Sequence, residues 1–89
     1  MLTLPAVVTH AQALETARGL TAQVTSEAAG VVLDASALMQ FDSSTLAVML
    51  ACRRAAMAAD KSFSVQGLPA RLIQLAGLYG VAELVPSAL

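Results

Sequence analysis

The segment VVLDASALMQFDSSTLAVML, residues 31–50, changes its hydrophobic period part-way along, and that change restricts the fold more than any other feature. Its first part, VVLDAS (31–36), follows Gly30 as a short apolar run, which predicts a strand covered on both faces. Its last part opens a helix near Ser43 that runs to about Ala59. LMQFD reads as the bridge between them.

The same order recurs along the chain. LTLPAVV (2–8) is aliphatic and β-branched, but Pro5 cannot donate to a ladder, so the stretch is expected as an edge strand. THAQ (9–12) has the Thr-x-x-Gln form of a capping box and opens a helix over 10–24. Ala13, Leu14, Ala17, Leu20 and Val24 form its apolar side, with Gln12, Glu15 and Arg18 opposite. KSFSVQG (61–67) alternates Phe63 and Val65 against Ser62, Ser64 and Gln66, as a strand does. Pro69 and Gly80 bracket a third helix whose inward stripe is expected to be Leu72, Ile73, Leu75, Ala76 and Tyr79. The tail VAELVPSAL is a short apolar segment stopped by Pro86. Alternating strands and helices imply an α/β domain with right-handed crossovers. The expectation is one domain over 1–89, with three helices on a mostly parallel sheet of three or four strands, and 31–35 and 62–66 as parallel central neighbours. The loop LMQFDSS follows a strand's carboxyl end, where such folds place their sites.

Composition excludes several functions. A chain of 89 residues buries only about 60–65% of its unfolded surface, so a core must be rich in aliphatics. This one is 57% hydrophobic and 12% charged. With a net charge of −1 and three aromatic residues, it offers neither the basic field nor the stacking platform that nucleic acid requires. The lone Cys52 sits in a helical pattern and reads as a small buried hydrophobe. The start lacks the basic region of a signal peptide, and no apolar run approaches the ~20 residues that span a bilayer. The expected location is the cytoplasm. A surface short of charge points to an apolar partner surface.

Few residues are available for chemistry. His10 is the single histidine and is expected to face solvent in the first turn of its helix; a triad with Ser43 or Ser44 is disfavoured by the topology. Metal ligands at helical or Cys/His spacing are absent, and DSSTL lacks the glycines of a phosphate loop. The expectation is therefore no catalysis, no metal and no cofactor. Asp42 is placed to cap the helix that follows. Ser43 and Ser44 then occupy its first positions, where neither is needed as a cap and where the helix end tolerates an anion. Redundant capping and a docking role both fit that pair. The next residues, from Leu46 to Ala58, are apolar around nearly the whole girth, with Arg53 and Arg54 appearing only after three turns, so neighbouring helices or a partner must cover it.

At these residues the chain resembles the STAS domain, in which a buried strand ending in Asp leads through a loop to F-D-S-S-G-L at the next helix. VVLDASALMQFDSSTLAVML carries that signature, and KSFSVQGLPARLIQLAGLYGVAEL is similar to the strand, turn and last helix that follow. The resemblance implies a STAS-like α/β fold and a docking set of Asp42, Ser43, Ser44 and Thr45. Two branches differ in what they imply. The MlaB family, the STAS subunits of the Mla phospholipid transporter, implies docking on the ABC transporter's ATPase subunit, peripheral to the inner membrane, with the functional hydroxyl on Ser43. LAGLYGVAELV looks like this branch. Anti-sigma-factor antagonists imply instead a partner kinase and a phospho-acceptor slot on Ser44. Thr45 stands where the family has glycine, adding bulk where a kinase approaches the backbone. A short amino-terminal region, with one strand expected where relatives have two, leaves a thin sheet edge at which a homodimer could form in isolation. A carrier of a small apolar ligand rests only on the Met-rich, low-charge composition.

Overall fold

Pro5 decides the path of the amino terminus. The computed structural model of the protein describes residues 1–85. Leu2–Thr3 (β1) pairs in parallel with Gly30–Asp34 (β3), and the Leu4 N–H continues the ladder to the Asp34 carbonyl at 2.9 Å. Pro5 has no N–H to add, so the chain leaves this sheet. Val7–Val8 (β2) then pairs in parallel with Gln40–Phe41 (β4) in a second, two-stranded sheet. The stretch 2–8, read from sequence as one edge strand, is therefore two strands in two sheets. LMQFD, read as a bridge, contributes a strand of its own. Two-residue strands carry too few side chains to show a period, and only their tertiary partners define them.

The main sheet has the order β1–β3–β5, where β5 is Ser62–Gln66. β3 alone is central; β5, expected to be central too, is an edge strand because no further strand pairs beyond it among the described residues. Its register sets Val31 opposite Phe63 and Leu33 opposite Val65, all parallel, as the alternating order predicted. Leu2, Leu33 and Val65 lie in one row across the three strands and are buried. Thr3, Asp34 and Gln66 form the neighbouring row, and none of these is buried. β3 was expected to be covered on both faces; instead Val31, Leu33 and Ala35 are buried while Val32 and Asp34 are only partly so.

Three helices complete the domain: α1 (Ala13–Gln23), α2 (Ser43–Ala58) and α3 (Ala70–Leu78). The start of α1 keeps half of the expected capping box, with Gln12 Oε1 accepting from the Thr9 N–H at 3.0 Å. Leu20 is buried on α1, as is Val24 in the 3₁₀ turn that continues it, whereas Leu14, expected inward, is 64% exposed. On α3, Leu72 and Ala76 are buried, but Ile73 and Tyr79 of the expected stripe are 54% and 61% exposed. A nine-residue helix packed along a single line buries only its i and i+4 positions. Of the apolar tail, Ala82–Leu84 forms a 3₁₀ turn and Val85 is buried; Pro86 lies outside the described residues.

The short exits from α2 and α3 each use a left-handed residue. After α3, Gly80 has φ +70°, the Val81 N–H bonds the Ala76 carbonyl at 2.9 Å and the Gly80 N–H bonds that of Gly77 at 3.1 Å, a Schellman closure. After α2 the same position is held by Asp60, at φ 57°, with the Lys61 N–H bonding the Ala56 carbonyl at 2.8 Å. A side chain there costs about 1 kcal/mol that glycine avoids. Gly67 is stricter. It has φ +70°, and a Cβ would lie 2.8 Å from the Ser36 Cβ and 2.9 Å from its backbone nitrogen. Gly67→Ala should therefore destabilise the protein by about 2 kcal/mol or more. Asp60→Gly should stabilise it by about 0.5–1 kcal/mol. Chemical denaturation of the two variants checks both signs.

Candidate functional site

The start of α2 is held by one carboxylate and one hydroxyl, each serving two elements. Asp42 lies in extended backbone at the N-cap. Its Oδ1 accepts from the Ser44 N–H at 2.8 Å and its Oδ2 from the His10 N–H at 3.1 Å. A single side chain thus caps α2 and fixes the turn that leads into α1. Thr45 answers from inside. Its Oγ1 accepts from the Asp42 N–H at 3.3 Å and donates to the Val8 carbonyl at 2.6 Å, and the residue is 0% exposed. Partial burial pushes the Asp42 carboxyl up, but the Ser44 and His10 N–H groups, the Ser44 hydroxyl and the nearby His10 charge outweigh it, so the group titrates below the ordinary value of 3.8.

Ser43 and Ser44 diverge. Ser43 is exposed and lines a groove of about 300 Å³ with Leu46, Ala47, Leu50, Tyr79 and Val81. Ser44 is half-buried and lines a second groove, about 330 Å³, with His10, Ala13, Leu14, Ala17 and Val48. Ala47 borders both grooves. The 100° turn between successive helical residues puts the two hydroxyls on opposite flanks of α2. Each ends an apolar trough. Leu14 and Tyr79, which sequence reasoning assigned to buried stripes, are the exposed apolar members of these troughs. An apolar residue at helical spacing looks the same whether a neighbouring helix covers it or leaves it in a groove.

The remaining candidates fall out differently. Thr45, expected to present a docking group, spends its hydroxyl within the fold and positions the loop. His10 is exposed as expected, but the topology does not keep it from the serines: it lines the Ser44 groove, and its backbone N–H meets Asp42. The hydrogen bond it makes there is from its main chain. Asp34, at the end of β3, is spent on its own turn. The Ser36 hydroxyl and the Ser36 N–H, at 3.0 Å, lower its carboxyl below the ordinary value, against the opposing effect of partial burial. Cys52 is fully buried, and burial pushes its thiol up to about 11. Among the described residues no three His, Cys, Asp or Glu side chains come close enough to hold a metal ion, and no helix is long and apolar enough to cross a membrane.

A parallel β1–β3–β5 sheet with three helices, and a capped D-S-S turn opening the second, defines a STAS-like α/β domain. The family model described as "Mlab, STAS domain" matches residues 1–86, and the chain belongs to that family. STAS domains are generally non-enzymatic. No curated protein matches the chain.

The clamp is testable apart from any partner. Thr45→Val leaves the Val8 carbonyl and the Asp42 N–H without their partner and should cost about 1–3 kcal/mol. Ser43→Ala, at an exposed position outside the cap, should stay within about 0.5 kcal/mol of the parent. A lowered carboxyl pKa contributes stability that is present above the unfolded value and lost as pH falls through the folded value. Asp42→Asn should therefore flatten part of the fall in melting temperature below about pH 4. The measurement is a pair of melting curves across pH 2–7, parent against variant.

Proposed function

We propose that the chain is a non-enzymatic adaptor that binds and stabilises the ATPase subunit of an Mla-type phospholipid transporter, from the cytoplasmic side of the inner membrane. The observation that carries this reading is the placement of Ser43. It is an exposed hydroxyl at the end of an apolar groove, held by a cap that does not need it. The family match supports it. A hydroxyl in that position recognises a hydrogen-bonding group at the edge of an apolar surface, and the grooves beside it supply contact area without charge.

The reading as an anti-sigma-factor antagonist needs Ser44 as phospho-acceptor. Ser44 is half-buried, and its N–H donates to Asp42 Oδ1 at 2.8 Å. A phosphate there would set a dianion against the Asp42 carboxylate. Thr45, locked to Val8, keeps the backbone from yielding. The geometry therefore favours Ser43 and the transporter partner.

Co-purification with an Mla-type ATPase subunit tests the proposal. Ser43→Ala should weaken binding by about 1–3 kcal/mol, since a buried partner group loses its hydrogen bond. Ser43→Glu adds an anion at a helix N-terminus, which suits the isolated fold by a few tenths of a kcal/mol, yet it should abolish binding by burying a charge. Full binding by Ser43→Glu would place the interface elsewhere. An effect confined to Ser44 variants in the presence of a kinase would favour the antagonist.

A further inference from the structure

The two most exposed large apolar side chains among the described residues are Leu78, at 83%, and Met39, at 77%. They line one groove, of about 410 Å³, that contains neither Ser43 nor Ser44. β4 contributes Gln40 and Phe41 to it, and α3 contributes Arg71 and Gln74. Arg71 is the one charged residue in this lining. Among the described residues the single ion pair joins the Met1 ammonium to Glu27, so Arg71 has no carboxylate partner there. β4 is paired on one edge only, to β2, and its other edge has no strand beside it among the described residues.

We propose that this groove binds an extended acidic segment of a partner protein, its main chain laid along the free edge of β4. An apolar side chain of the segment sits between Met39 and Leu78, and a carboxylate meets Arg71. Each part answers a separate feature. An open strand edge offers main-chain hydrogen bonds that only another polypeptide can use. A guanidinium with no internal partner takes a carboxylate in bidentate geometry. Flexible Met and Leu side chains adapt to the residue between them. A phospholipid would satisfy Arg71 but leave the strand edge unused, and one arginine attracts an anionic membrane surface by only about 1 kcal/mol. The site stands apart from the serine surface, so failure of one leaves the other untouched.

The test uses the full chain, labelled with nitrogen-15, and the capped peptide acetyl-Ser-Val-Glu-Leu-Asp-Val-amide. Its control is the same peptide with glutamine and asparagine in place of the acids. Amide shift changes should centre on residues 39–41 and 71–78. The neutral control should bind more weakly, and Arg71→Gln, an exposed change, should lower affinity for the acidic peptide about three- to tenfold. Met39→Ser should also weaken it. The proposal is overturned by equal affinity of the two peptides, by undiminished binding to Arg71→Gln, or by shifts centred on Ser43 or Ser44. Absence of any shift at millimolar peptide also overturns it. Binding to phosphatidylglycerol vesicles that depends on Arg71, without peptide binding, would assign the groove to a membrane surface instead.

Discussion

The hydroxyl of Thr45 is the point on which the rest of this small domain turns. Completely buried, it joins the backbone of β2 to the cap of α2, and Asp42 then extends the joint to the turn before α1. Without it, the two-residue strands β2 and β4 would rest on a few ladder bonds, too short to persist alone. A hydroxyl that both donates and accepts in an apolar interior leaves nothing unpaired, and no buried side-chain nitrogen or oxygen among the described residues lacks a partner. The resemblance to the STAS signature implies glycine at the position this threonine occupies. Here the side chain has a structural task, which explains why bulk is accommodated at a tight helix start.

This arrangement frees the serines. A helix needs its first N–H groups satisfied, and Asp42 does so while also bonding His10. Ser43 is left exposed at the end of a trough whose walls are Leu50, Tyr79 and Val81. Exposing apolar side chains such as Leu14, Tyr79, Met39 and Leu78 is unfavourable in an isolated protein. In a chain with little charge to spare, Leu14 and Tyr79 line the grooves beside the start of α2, while Met39 and Leu78 line a third groove apart from it. The apolar girth of α2 is explained by the same geometry. Leu46, Val48, Met49, Cys52 and Ala56 face the core, while Ala47 forms the narrow ridge between two grooves.

Much of the fold was legible in advance. The long elements carry enough residues for their period to show: α2 starts at Ser43 and ends within one residue of the expected limit, and β3 and β5 pair in parallel as expected. Local chemistry was equally readable where one residue type has one job, as with Gly80 closing α3 and Asp42 capping α2. Legibility failed where a residue's role depends on what lies across from it. Leu14, Ile73 and Tyr79 fit a buried stripe by spacing, yet no element among the described residues covers them.

By itself, then, the sequence determined the alternating α/β order, the capped start of α2 and the pair of hydroxyls placed there, because each follows from interactions within a few residues. Only the tertiary structure decided that Pro5 splits one strand into two sheets, and that Thr45 turns inward to Val8. It alone brought His10 to Asp42 and sent Ser43 and Ser44 into different grooves. Those outcomes rest on contacts between residues more than thirty positions apart, and no local period or propensity encodes which distant backbone group a buried hydroxyl will find.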